Sequence, residues 1–338
     1  ASATGSGHST DATLEILDAF RQEEDVEDKV EVIAAEDEGH HDGFWPGDKD
    51  EMSLAFAKRI TGDWLWFVST DEFNLPESIS TVSRMLAADP GIDMVSFPQL
   101  FFWGNLQTQV DGWYFRQLGR RSIDRLFKWR PGYTHATHRP ITVLDENGVD
   151  LRKHKWVRAP EMRARGVHTY HYCLLLPEQA RQKARYYEGM GFGLDGMSNW
   201  HQEVFTTLSR PYHVHNVYQY PSWLERFSGP HPPQVEKMWH RLQSAPIHPI
   251  LPPEAMNKID GLLDSRSYRI GKVLLRIAPG WLVRFADHVT KHSLSLLPRS
   301  ISAILKSLLT GTSMQSPGQK QGPEFGQAAD ELSHCEKD

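Results

Sequence analysis

The chain has 338 residues, which allows one large domain or two modest ones. Apolar residues make up 39% and charged residues 24%, enough for a sizeable core and too much for a wholly disordered chain. Lys and Arg total 37 against 43 for Asp and Glu, a formal net charge of −6 that argues against a general nucleic-acid binder.

The opening Ala-Ser-Ala carries no Met, signal peptide or apolar first strand, so the chain is expected to begin inside a domain. Leu14, Leu17 and Phe20 fall at helical spacing behind Thr10 or Asp11, either of which suits an N-cap. Val30 to Ala34 reads as a short strand. A polar loop from Glu36 to Asp50 leads to a helix over about 51–61, stopped by Gly62. Trp64-Leu-Trp-Phe-Val68 is a continuous apolar run, the pattern of a strand buried on both faces. Pro76 opens a helix to about Ala88, and Ile92 to Phe97 is the next strand. Helix and strand in alternation predict an α/β fold with a mostly parallel sheet and helices on both faces.

The middle of the chain, 99–220, is rich in Trp, Tyr and His and has weaker periodicity; it reads as the rest of the sheet with long loops. Pro177 to about Gly189 is a predicted helix. Seven prolines between Gly229 and Pro253 mark a linker around one short helix, extending over 229–265. Residues 266–310 form a basic, helical C-terminal region in which Arg266, Arg269, Lys272, Arg276, Arg284, Lys291, Arg299 and Lys306 face one acid, Asp287. Basic and apolar residues mix there at near-helical spacing, which suits an anionic membrane surface. Residues 311–338 read as a disordered tail. Cys173 and Cys335 are too few for a disulfide scaffold and fit a reducing, cytosolic compartment. No run approaches ~18 consecutive apolar residues, the length that spans a bilayer.

The most informative stretch is Gly62 to Phe73, where a buried strand ends and presents Asp71 and Glu72. Ligands of open α/β sheets bind beyond the carboxyl ends of strands, and carboxylates there suit a hard divalent cation bridging to phosphates. Standing alone, these acids also read as turn and helix-cap residues.

Three segments resemble motifs of the family 2 glycosyltransferases in the order that family has them. Ser9-Thr10-Asp11-Ala12-Thr13 is similar to its "Asp-x-Gly-Ser-x-Asp-Gly-Thr" turn. Residues 51–72 resemble its helix, strand and "Asp-x-Asp-Glu" motif, with Ser69 in place of the first Asp. His168-Thr-Tyr-His171-Tyr-Cys173 and the Pro-Glu helix carrying Lys183 resemble its "His-Tyr" strand and following helix. The resemblance covers about residues 5–220. It implies a Rossmann-like GT-A fold over 1–228, N-terminally incomplete, and an inverting sugar transfer from a nucleotide-sugar donor to a cell-envelope glycan or lipid-linked acceptor. By register it implies nucleotide-sugar contacts from Ser9, Asp11, Ser69 and Asp71, and Mg²⁺ or Mn²⁺ held by Asp71 and His171. Candidate bases for the acceptor hydroxyl are Asp111 and Glu161, each also readable as a structural acid. The implied location is cytoplasmic, peripheral on the inner face of the cell membrane through 266–310. Ser69 and the missing first strand keep a second expectation open, a catalytically inactive binding or scaffold protein of the same fold.

Overall fold

The computed structural model describes residues 12–45, 49–112, 122–138, 140–189, 200–215, 221–245 and 250–277. In chain order the helices are α1 (Thr13–Glu23), α2 (Lys49–Ala57), α3 (Pro76–Ala88), α4 (Ala159–Ala164), α5 (Pro177–Gly189), α6 (Pro233–Gln243), α7 (Pro253–Asp264) and α8 (Arg266–Ile277). The strands are β1 (Trp64–Trp66), β2 (Glu72–Phe73), β3 (Met94–Trp103), β4 (Asn105–Gly112), β5 (Ser122–Lys128), β6 (Thr134–His138), β7 (Ile141–Leu144), β8 (Trp156–Val157), β9 (Thr169–Leu174) and β10 (Ser222–Arg226).

The fold is α/β, built on one mixed sheet with the path β1-β5-β3-β4-β10; β8 and β9 also pair with β3, and β2 pairs with β9. The expectation of a mostly parallel sheet is corrected here. Among the described residues, only β3–β8 and β3–β9 are parallel; the other five pairings of this sheet are antiparallel. The physical reason lies at Gly104, whose φ of +65° lets β3 fold straight back into β4 without a crossover helix. A Cβ at this position would collide with the Leu251 side chain, so the tight turn is also a packing site.

Strand β3 organises the molecule. Its first half pairs with β5 and β8, its second half with β9 and β4. The hand-over falls at Pro98, which has no N–H to donate and stands opposite Ser122 at the end of the β5 pairing. Around the first half, alternation separates two cores. Val95, Phe97 and Leu126 pack with Val82 of α3 and Met162 of α4 on one face. Met94, Phe127 and Leu65 pack with Phe67, Ile141 and Val143 on the other, with Phe56 of α2 against them. Burying an aliphatic or aromatic side chain contributes ~1.5–3 kcal/mol, so these two layers set which faces the sheet can present.

Two further expectations change. Residues 30–34 form no strand, because Asp25 accepts hydrogen bonds from the Lys29 and Val30 backbone N–H groups that a ladder would need. Helix α1 forms as expected, yet none of its residues is buried. The Pro-rich stretch 229–265 holds two packed helices rather than a linker: Val235 and Trp239 of α6 and Ala255, Ile259 and Leu263 of α7 are buried. Pro232, Pro233, Pro252 and Pro253 sit at helix starts, where a missing N–H costs nothing. Thr10 and Asp11, most of the basic region beyond Ile277, and the tail 311–338 lie outside the described residues.

Candidate functional site

The carboxyl end of β1 runs into a tight turn in which the Glu72 N–H donates to the Ser69 carbonyl at 3.0 Å. Glu72 anchors that turn. Its buried carboxylate accepts from Arg125 Nε (3.0 Å) and Nη2 (2.7 Å) of β5 and from Gln99 Nε2 (3.1 Å) of β3. Strand β2 then pairs with β9, with Glu72 opposite His171, and the Asp71 carbonyl accepts from Tyr172 N–H at 2.9 Å. Two residues 100 apart in sequence are thereby brought together: Asp71 Oδ2 lies 3.2 Å from His171 Nε2.

Around this pair stand three further groups. Cys173 is two residues beyond His171 on the same strand, which directs both side chains to one face. The ligand atoms of Asp71, His171 and Cys173 all lie within 4.8 Å of one another. Lys183 of α5 approaches Asp71 Oδ2 at 3.6 Å. Its helix is registered by Ala180 and Ala184, buried against the β9 side of the core, and by Gln179, whose Oε1 accepts from the Leu175 and Leu176 N–H groups. The Phe101 ring covers His171 at 4.5 Å between centroids, and the buried His215 lies beyond it at 6.0 Å from Phe101.

The electrostatics are those of a charged group held in a dry place. Burial alone would raise the Asp71 pKa; the hydrogen bond and charge of His171, with Lys183, outweigh it and hold the carboxyl well below its usual range. Burial would lower His171, and the charges of Cys173 and Asp71 raise it well above its ordinary value instead. Burial pushes the Cys173 thiol up, and the His171 and Lys183 charges bring it below its usual value. His215 goes the other way: burial, then the charges of Lys183 and His171, lower it to about 3, so it is neutral.

No family model, no curated protein and no solved structure matches this chain. The reading of the site therefore rests on its own geometry.

Of the residues singled out from sequence, Asp71 and His171 meet. Ser69 is exposed and contributes its carbonyl to the turn. Ser9 and Asp11 lie outside the described residues. Glu161 does not join the site. It is an exposed residue of α4 whose Oε1 accepts from the Arg158 N–H at 3.0 Å, so it caps its own helix. Asp111 is buried and accepts from the Gly112 N–H at 2.7 Å. Val110 shares a cross-strand row with Phe101 and His171, so strand alternation sends Asp111 to the opposite face. His135 and His138 belong to the β6–β7 hairpin: His135 packs against Phe67, and His138 Nδ1 meets Ser53 Oγ at 3.1 Å. Trp103 is fully buried core. Sequence reasoning missed Cys173 as a member of the site, although its spacing of two from His171 on a strand carried the signal.

The donor chemistry tests the implied Mg²⁺ or Mn²⁺. His171 Nδ1 is buried with no hydrogen-bond partner, so ligation through Nε2 would leave the other ring nitrogen without the contact that metal-bound histidines ordinarily make. Mg²⁺ asks for near-octahedral oxygen coordination, whereas this group offers one carboxylate, one imidazole and one thiol. The residues fit a divalent ion of softer character and do not fit the hard ions that the resemblance implies.

Proposed function

We propose that this chain is a glycosyltransferase of GT-A-like fold, transferring a sugar from a nucleotide-sugar donor to a cell-envelope glycan or lipid-linked acceptor with inversion. The observation that carries the reading is the convergence of Asp71, His171 and Lys183 beyond the carboxyl end of β1. Two motif segments that are far apart in sequence supply one compact site.

In this reading Lys183 and His171 are the cations that receive the donor diphosphate, and Asp71 holds both in position from one oxygen. Phe101 and the core beneath exclude water on one side, which strengthens each charge interaction with phosphate. The acceptor oxygen bonds to the anomeric carbon as the bond from that carbon to the diphosphate oxygen breaks. The electron pair leaves on the diphosphate, where the two cations offset the developing charge. The acceptor proton passes to solvent water, since Glu161 is committed to its helix and Asp111 is turned to the opposite face.

Helix α8 supports the choice of a lipid-linked acceptor. Tyr268, Lys272 and Leu275 pack inward, while Ile270, Val273, Leu274 and Ile277 are exposed beside Arg266, Arg269 and Arg276. Among the described residues no helix is long and apolar enough to cross a membrane; in this reading α8 lies on an anionic bilayer, Arg266 and Arg269 each contributing ~1 kcal/mol, while Arg276 is paired with Glu225. Vesicle flotation of Ile270→Glu/Leu274→Glu tests this: loss of binding to anionic vesicles is expected, and unchanged flotation refutes it.

The decisive test is calorimetric titration of UDP and GDP, with and without added divalent cation, into the chain and its Asp71→Ala and Lys183→Ala variants. One nucleotide is expected to bind. Lys183→Ala should weaken it ~10-fold or more, since a hydrogen bond to a charged group contributes ~1.5–3 kcal/mol. Absence of binding by the unmodified chain would overturn the transferase reading in favour of an inactive scaffold.

A further inference from the structure

We infer that Asp71, His171 and Cys173 form a binding site for a thiolate-preferring transition metal, Zn²⁺ in particular, in place of a hard Mg²⁺ or Mn²⁺. Two observations carry it. Carboxylate, imidazole and thiol are together the zinc donor set, and their ligand atoms lie within 4.8 Å of one another. The Asp71 Oδ2 to His171 Nε2 distance of 3.2 Å compares with the ~3.3 Å edge of a tetrahedron built on ~2.0 Å bonds to oxygen and nitrogen.

The scaffold suits such an ion. Cys173 and His171 are fixed at a spacing of two on β9, and Asp71 is delivered by the turn that Glu72 anchors. Lys183 competes with an ion for Asp71 Oδ2, so binding displaces its ammonium outward. Three protein ligands leave a fourth position for water or a phosphate oxygen, the pattern of open zinc sites. Were the transferase reading correct, a bound ion would replace the charge that His171 offers the donor diphosphate in the metal-free site. The metal inference stands on the donor set alone and is tested without nucleotide.

Zn²⁺ outranks Mn²⁺ at nearly any nitrogen and oxygen site, so a bare preference for zinc decides nothing. Its dependence on Cys173 does. The test uses the full chain with Cys335→Ser, leaving Cys173 as the one thiol. Co²⁺ added to this protein after chelator dialysis is expected to give an intense thiolate-to-cobalt absorption in the near ultraviolet, abolished by Zn²⁺. Cys173→Ser should remove the band and weaken Zn²⁺ by ~10–100-fold or more, the range that even outer partners contribute. It should also narrow the gap between Zn²⁺ and Mn²⁺ affinities. Absence of the thiolate band in the folded Cys335→Ser protein overturns the proposal, whether or not Cys173→Ser folds. An unchanged Zn²⁺ to Mn²⁺ ratio in folded Cys173→Ser overturns it too.

Discussion

Replacing Glu72 by Gln removes one charge and changes almost no volume, yet it strikes the joint on which the candidate site hangs. The Glu72 side chain is 3% exposed and that of Arg125 is 15% exposed. Arg125 donates through Nε and Nη2 to the two carboxylate oxygens, and Gln99 donates to one of them. A glutamine offers one acceptor and turns an NH₂ group toward a donor, leaving the guanidinium buried, charged and half satisfied. Breaking a buried pair from one side costs ~3–5 kcal/mol. With a urea m-value of ~3 kcal/mol/M, the unfolding midpoint falls by ~1–1.7 M. Glu72→Met/Arg125→Met removes both charges and should cost less than either single change, a coupling that a double-mutant cycle measures. The same Glu72→Gln protein should bind nucleotide or metal more weakly, because the turn delivering Asp71 has lost its anchor. A midpoint shift below ~0.3 M, corresponding to under ~1 kcal/mol, would refute the reasoning.

Three further outcomes are expected. With chelator present, the Asp71–His171 pair stabilises the fold most between the ordinary values of 3.8 and 6.5. His171, raised when folded, loses its contribution as pH rises through its elevated pKa; Asp71, lowered when folded, loses its own only as pH falls through its depressed one. Thermal melts of Asp71→Asn against the unmodified chain should therefore differ most near pH 4–6.5 and converge toward alkaline pH; a constant difference would contradict the pairing. Gly104→Ala should destabilise by ~1–3 kcal/mol in urea titration, since its φ of +65° is strained for alanine and Leu251 occupies the space of a Cβ. Glu161→Ala should cost ~0.3–1.5 kcal/mol as a lost cap and leave nucleotide binding unchanged; a loss of transfer activity with stability intact would restore it as the base.

What could be read from sequence alone was local. A strand from Trp64 ahead of two acids, the helix opened by Pro76 and the strand and helix around His171 and Pro177 all appear where periodicity, caps and prolines put them, although β1 stops at Trp66, is buried only at Leu65 and leaves Val68 exposed. These signals act over a few residues, so they survive without knowledge of partners. Asp71 and His171 were legible as a pair only by their places in an ordered set of motifs; their 3.2 Å approach was not. The tertiary structure decided the rest. Strand direction depends on which edges meet, and Gly104 and Pro98 turned a predicted parallel sheet into a mixed one. The fate of each acid depended on its neighbours: Arg125 made Glu72 an anchor, the Arg158 N–H made Glu161 a cap, and strand alternation turned Asp111 away. Cys173 and Lys183 became partners of Asp71 because β9 and α5 pack on the turn after β1. Such contacts join residues about a hundred positions apart, and no local pattern carries their distance.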